Sequence, residues 1–496
     1  MNTQPMNTQQ LETTRAFLKQ NPILHEIGGR PDAGRSGETW DVLNPSDGSR
    51  LARTALGGPD DVQAAVDVAH DAFSGWAATS AVERAELMHR LADRMEAELE
   101  TLAQLETLDV GKAIQASRGF DIPFGVEGVR YFADLATRTT YSVPLAIKNI
   151  EARKWRVPYG VCGFIFPWNF PFDLFQWGVM PALAAGNTVV VKPSEVTPLT
   201  SLYVAKLARE VGFPDGVINV VVGTGPDVGR ALTEHPKVRR MSFTGSPEIG
   251  RQIGETCGRR IIPCKLELGG KGAAVVFDDI DVETTAKALA GAITMNTGQV
   301  CCTATRWIVH DKVYEPLVAA VKDTLGRTKI GPGLDETTEM GPLVSETQKK
   351  RVLSYYEKGL AEGATAVLEG SDASDIGSGY YVRPYLLEGE PDNVCFREEI
   401  FGPTAYLTRF SDESDALEQV NSLDYGLANS VWTNDLARAN RVAERMVAGN
   451  SWINAHNVLA YGLPYGGYGL SGMGGGVNSP ETFDDYLRDQ TIARPL

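Results

Sequence analysis

The sequence predicts an α/β protein with two parallel-sheet domains and a small separate β segment. Three observations carry this reading. Short apolar runs alternate with helical stretches from residue 161 to residue 257, the texture of βαβ crossovers. The same alternation restarts after Glu267. Residues 139–157 fit neither block, and a chain of 496 residues exceeds one ordinary core.

The elements follow in order. Residues 1–20 read as a flexible tail: the start is polar, repeats Met-Asn-Thr-Gln, lacks the apolar centre of a signal peptide, and has Met6 as a candidate second start. Residues 60–106 carry apolar side chains at helical spacing (Leu87, Leu91, Met95, Leu99) and predict two or three amphipathic helices. Buried strands are expected at 161–166, 188–192, 217–222 and 240–243, with helices at 202–211 and 249–257. In the second block a strand at 273–277, a helix at 281–295 and a strand at 306–309 are expected. Residues 139–157 and the C-terminal 486–492 have hairpin-like texture. They predict either a local hairpin or edges that pair with another subunit.

Composition narrows the function. Acidic side chains exceed basic ones, 63 to 47, for a net charge of −16, which argues against nucleic acid and anionic membranes as partners. No stretch reaches the ~18 continuous apolar residues of a membrane span. Six cysteines without paired spacing suit a reducing cytoplasm and offer no metal site, and none of the six histidines stands in a cysteine–histidine arrangement.

Chemistry-bearing residues gather at predicted strand ends, where doubly wound sheets bind ligands. Asn169, in Pro167-Trp168-Asn169-Phe170-Pro171, is placed to donate to an oxyanion or to fix a turn. Glu195, in Lys192-Pro193-Ser194-Glu195, is placed for the ribose hydroxyls of a dinucleotide. It favours NAD, because a 2′-phosphate beside a carboxylate is repelled, although the Lys192 ammonium is a potential partner for that phosphate. Ser194 also reads as a helix cap with Glu195 in the first turn. Gly225 and Gly229 belong to a glycine loop one residue longer than the dinucleotide fingerprint. Phe243-Thr244-Gly245-Ser246 closes the fourth strand, with Ser246 capping a helix whose N-terminus suits a phosphate. Cys301-Cys302 and Glu267 sit in glycine-rich surroundings. A thiolate and a carboxylate there can divide carbonyl attack and water activation between them. Adjacent side chains diverge, so at most one cysteine faces the carboxylate, and spacing does not decide which. The other four cysteines read as small buried hydrophobes.

These motifs, with Glu267-Leu268-Gly269-Gly270-Lys271, Gly298-Gln299-Val300-Cys301 and Glu399-Ile400-Phe401-Gly402-Pro403, resemble the NAD(P)-dependent aldehyde dehydrogenase superfamily in order and spacing, over nearly the whole chain. The resemblance implies two Rossmann-like domains: residues 21–138 and 158–267 for NAD, and 268–474 for catalysis. It assigns 139–157 and 475–496 to oligomerisation, as a homodimer or homotetramer. It implies Cys301 as nucleophile with Cys302 a neighbour, Glu267 as general base, and Asn169 with the Cys301 N–H as oxyanion donors. NAD, with NADP the alternative, would lie on Phe166, Trp168, Lys192, Ser194, Glu195, Gly225, Gly229, Phe243, Thr244, Gly245, Ser246, Leu268, Gly269, Glu399 and Phe401. The implied reaction oxidises an aldehyde through a thiohemiacetal and a thioester. The presence of Glu267 favours hydrolysis over transfer to coenzyme A.

By the same analogy Phe170, Phe172, Phe175, Trp177, Cys302 and Tyr465 lie near the substrate. Such a lining suits an apolar or aromatic aldehyde, or a cationic one as in betaine aldehyde. A non-oxidative thioester or esterase activity, or a non-catalytic role, are the rivals. The chain departs from the family twice: Gly178 and Gly476 stand where relatives carry a lysine and a glutamate near the general base. Losing both partners is consistent, since one alone would be an uncompensated charge. Either Glu267 sheds its proton through water or another group, or Gly475-Gly476 marks a remodelled, flexible loop.

Overall fold

The computed structural model describes residues 8–496; the candidate start at Met6 lies outside them. Within the expected tail, Thr8–Leu18 is a helix. Phe17 is buried and meets Tyr203 edge-to-face at 5.0 Å, which pins the segment to the first domain and corrects the reading of a loose tail from residue 8 onward.

The first sheet has eight strands in the order Arg30–Asp32, His25–Ile27, Ile218–Val220, Thr188–Lys192, Val161–Ile165, Val238–Thr244, Cys264–Glu267, Gly472–Met473. Its central strands run parallel and the outer ones antiparallel. Strands such as Thr188–Lys192 are buried on both faces, which is why they read as unbroken apolar runs. Chain order reverses between Val161–Ile165 and Val238–Thr244, so a crevice opens at the carboxyl ends of those two strands. The predicted helices appear as Pro59–Ala78, Ala81–Ala97 and Leu99–Val110, followed by Leu199–Glu210 and Pro247–Arg260.

The second sheet has seven strands, Thr365–Leu368, Tyr385–Glu388, Thr404–Phe410, Ala304–His310, Gly272–Val276, Ala428–Trp432 and Asn450–Ile453, with an antiparallel pair at one edge. Gly472–Met473 does not belong here: it crosses back to pair with Leu266 and Glu267. The block expected to end at residue 474 therefore returns its last residues to the first sheet.

The third sheet joins Leu487–Pro495, Ile150–Pro158 and Ser142–Ile147, all antiparallel. The local hairpin is present, and the C-terminal strand completes it within one chain. Among the described residues no helix is long and apolar enough to cross a membrane.

The second domain is tied to the site through Arg306, which is 1 % exposed. Its guanidinium donates to the carbonyls of Lys271 (2.8 Å), Gln419 (3.0 Å) and Val420 (3.0 Å), and burial pushes its pKa down to about 9. Replacing it leaves buried acceptors unpaired. Arg306→Met is expected to destabilise the protein by about 3 kcal/mol or more. Urea unfolding checks this; an unchanged midpoint would contradict it.

Candidate active site

The loop that carries the cysteines is strained. Asn296 (φ 45°), Thr297 (φ 55°) and Gly298 (φ 71°) are successive left-handed residues. A Cβ on Gly298 would stand 2.0 Å from the Gly402 carbonyl oxygen, so only glycine fits. Hydrogen bonds hold the rest. Asn296 Nδ2 donates to the Asn169 carbonyl (2.8 Å), Thr297 Oγ1 to the Gly341 carbonyl (2.9 Å) and Gln299 Nε2 to the Asn296 carbonyl (3.1 Å). The Val344 N–H donates to Gln299 Oε1 at 3.0 Å. From the far side His456 Nε2 donates to the Cys302 carbonyl (2.7 Å), and His456 Nδ1 faces Ser430 Oγ (2.9 Å). Burial lowers His456 to about 4, so it is a neutral strut.

The loop sets Cys301 and Cys302 in a cavity of about 380 Å³. One end is lined by Phe120, Phe170, Trp177, Leu459 and Tyr465, the other by Trp168, Ser246, Leu268, Gly269, Glu399 and Phe401. Asn169 lies between them, its Nδ2 donating to the Gln299 carbonyl at 3.1 Å; the second hydrogen of that amide is not used by this bond. Trp168 and Phe401 meet edge-to-face at 5.3 Å. Glu399 Oε1 accepts from the Gly270 N–H at 2.9 Å, and burial pushes its carboxyl up to about 7.

A second cavity, of about 540 Å³, adjoins the first through Pro167, Thr244 and Gly245. Phe166, Lys192, Ser194, Glu195, Gly225, Gly229 and Phe243 line it. Lys192 Nζ pairs with Glu195 Oε2 at 2.8 Å and donates to the Pro193 carbonyl at 3.0 Å. Ser246 caps Pro247–Arg260, and Thr224 caps the turn at Gly225–Gly229. Ser194 caps no helix; the next one starts at Leu199, and Ser194 Oγ accepts from the Val196 N–H at 3.2 Å.

A smaller pocket distinguishes the two cysteines by position. Glu267, Gly178, Tyr465 and Cys301 line it, whereas Cys302 does not. Cys302 Sγ instead donates to Asn457 Oδ1 at 3.4 Å. Cys301 Sγ lies 3.2 Å from the Tyr465 hydroxyl. The adjoining Cys302 thiol and burial push the Cys301 thiol well up, and the Tyr465 hydroxyl draws it down. Burial holds the Glu267 carboxyl well above the usual range.

Several residues went unforeseen. His456, Asn296 and Gln299 act on backbone groups, which leaves no spacing signal. Tyr465, expected only as lining, also touches the Cys301 sulfur. Phe172 and Phe175, expected near the substrate, are fully buried core residues on the opposite side of their helix, Phe172 packing against Gly125. At Gly178 a Cβ would meet Phe166 Cζ at 2.8 Å, and at Gly476 it would meet the Tyr465 carbonyl oxygen at 2.5 Å. Those two glycines are packed positions. The Gly476 carbonyl is held by Lys265, so the loop is anchored.

The profile of the aldehyde dehydrogenase family matches residues 33–492. The chain belongs to the aldehyde dehydrogenase family. It is 39 % identical over 459 residues to phenylacetaldehyde dehydrogenase of Pseudomonas fluorescens, covering 90 % of this chain and 91 % of that one. The NAD+ complex of an aldehyde dehydrogenase from Bacillus cereus superposes with a TM-score of 0.95 at 37 % identity, covering 98 % of each chain. Betaine aldehyde dehydrogenase from Staphylococcus aureus, in complex with NAD+, gives 0.94 at 32 % identity, covering 98 % of this chain and 97 % of that one. The aldehyde dehydrogenase fold is thus shared over almost the entire chain.

Removing the Tyr465 hydroxyl takes a donor from the Cys301 sulfur. Tyr465→Phe is expected to raise the midpoint of the pH profile for iodoacetamide alkylation of Cys301 by about one unit. A profile that stays in place, or moves to lower pH, would show that this contact does not stabilise the thiolate.

Proposed function

We propose that the protein oxidises an apolar or aromatic aldehyde to its carboxylic acid with NAD. The observation that carries this reading is the sharing of Cys301 between two compartments: it lines the large cavity and also the pocket of Glu267, which Cys302 does not reach. The Cys301 thiolate adds to the aldehyde carbonyl carbon. The oxyanion formed is stabilised by Asn169 Nδ2 and the Cys301 N–H. A nicotinamide held beside Glu399 and Phe401 would supply the hydride acceptor; loss of hydride from the thiohemiacetal carbon leaves a thioester on Cys301. Glu267 then draws a proton from water as that water attacks the thioester carbon, and the acid and the Cys301 thiolate part.

The second cavity fits a dinucleotide. Glu195 stands at its ribose end, the helix N-terminus at Ser246 suits a diphosphate, and Glu399 and Phe401 line the far end beside Cys301. The Lys192–Glu195 pair supports NAD over NADP, because the lysine is already neutralised and the carboxylate would repel a 2′-phosphate. The first sheet would therefore be the NAD-binding domain and the second the catalytic one.

The substrate end is aromatic: Trp177 lies 5.7 Å from Tyr465 and 6.1 Å from Phe124 between ring centroids. Asp173 also lines this cavity, and burial and the neighbouring Asp121 push its carboxyl well above the usual range, against the pull of Lys112. A carboxyl that burial disfavours from ionising is a poor partner for a cationic aldehyde, which supports the apolar class, as does the likeness to an enzyme named for phenylacetaldehyde. The exposed Val143, Trp155 and Ile492 on the third sheet support a homo-oligomer, and six free thiols support the cytoplasm.

A panel of aldehydes with NAD and with NADP, followed as reduced nicotinamide appears, tests this. Phenylacetaldehyde with NAD is expected to give the higher kcat/KM, betaine aldehyde and NADP the lower. Preference for betaine aldehyde or for NADP would overturn the substrate or cofactor assignment. Product formed without nicotinamide reduction would overturn the oxidation.

A further inference from the structure

Each turnover loads a proton onto Glu267, and the group must return to its charged form before the next. Glu267 is 8 % exposed, and neither carboxylate oxygen has a hydrogen-bond partner among the described residues. A lone ionised carboxylate in such a place is costly. A counter-charge is therefore required, and the strand that carries Glu267 supplies one.

Lys265 stands two residues earlier in Cys264–Glu267, so both side chains leave the same face of the sheet. The Lys265 side chain is 1 % exposed; its ammonium donates to the Gly476 carbonyl and lies 2.8 Å from Asp485 Oδ2. The Gly476 backbone adjoins the base. A Cβ on Gly466 would stand 3.2 Å from Glu267 Oε1 and 2.6 Å from Gly476 Cα, so the carboxylate and Gly476 flank one point. On the neighbouring strand Arg240 Nη2 lies 3.8 Å from Asp485 Oδ2, with its guanidinium over the Tyr486 ring at 4.9 Å.

The charges around Glu267 balance. With Glu267 ionised, Arg240 and Lys265 offset Asp485 and Glu267; protonating Glu267 leaves an excess positive charge in a buried group. Burial raises the Glu267 carboxyl, the Lys265 charge lowers it, and Cys301 and Asp485 raise it. Lys265 is itself lowered by burial and Arg240, and raised by Asp485 and Glu267. Among the described residues the other titratable groups facing this cluster are Tyr465, beside Cys301, and Cys162, Cys264, Tyr159 and Tyr486 around Arg240.

We propose that Lys265, anchored by Asp485 and the Gly476 carbonyl, is a positioning residue that keeps Glu267 ionised for hydrolysis of the thioester. The proposal rests on the reading of Glu267 as the base, and the experiment separates the two. The base works when ionised, so the hydrolysis rate rises with pH through its pKa. Removing a nearby cation raises that pKa and moves the rising limb to higher pH.

The test uses the full chain with NAD and phenylacetaldehyde, or whichever aldehyde the panel ranks first, and compares Lys265→Met, Lys265→Gln and Lys265→Arg. Met and Gln are expected to keep the burst of reduced nicotinamide while the steady rate falls about tenfold near neutral pH. Its pH midpoint is expected to rise by about one unit. Arg, which keeps the charge, is expected to restore the midpoint. Gln can still donate to the Gly476 carbonyl, so it decides the matter where Met fails to fold. An unmoved midpoint in Lys265→Gln, or burst and steady rate falling together, would overturn the proposal. A Glu267→Gln control that turns over like the parent would overturn the base assignment itself.

Discussion

Left-handed backbone at Asn296, Thr297 and Gly298 costs free energy, on the order of 1–3 kcal/mol for each non-glycine residue, and persists only where neighbours over-determine it. Here the neighbours come from both domains. The Asn169 carbonyl belongs to the first, the Gly341 carbonyl and the Val344 N–H to the second. The strain is thus held by the contact between the two sheets. Its result is to bring Cys301 to the seam, in the cavity that adjoins the one lined by Lys192 and Glu195 and that also holds the aromatic side chains Phe170, Trp177 and Tyr465. Asn169 joins both tasks, its carbonyl bracing the loop while its side chain faces the cavity.

Glu267 depends on the same arrangement from the opposite side. Its strand is the last of the parallel set, and the short returning strand Gly472–Met473 covers it. That return carries Tyr465, Gly466 and Gly476 past Glu267 and leaves little room for side chains there. The ammonium proposed to serve Glu267 comes from its own strand, at Lys265.

Much of this was legible in the sequence. Parallel strands buried on both faces read as unbroken apolar runs, so their carboxyl ends, and with them Asn169, Glu195, Gly225 and Ser246, fell close to their observed places. The residues that the sequence named for the cofactor all line one of the two joined cavities. What escaped has physical reasons. The pair Gly472–Met473 is too short to show a strand pattern. Lys265 carries no motif of its own, and its partner Asp485 lies far away in the sequence. His456 speaks to backbone atoms, which no spacing rule detects. Phe172 and Phe175 share a helix that is apolar on nearly every side, so the face toward the substrate was not readable. Thr8–Leu18 is a helix because its partner surface holds it, through Phe17.

The central claim is that one sulfur, that of Cys301, carries the acyl group and that Glu267 releases it. Mass spectrometry of the Glu267→Gln protein after mixing with NAD and an aldehyde, followed by peptide mapping, addresses it directly. The account predicts about one acyl group per chain, located on Cys301 and accumulating because hydrolysis is slowed. An acyl group on Cys302, or no accumulation while the acid still forms at the parental rate, would contradict it.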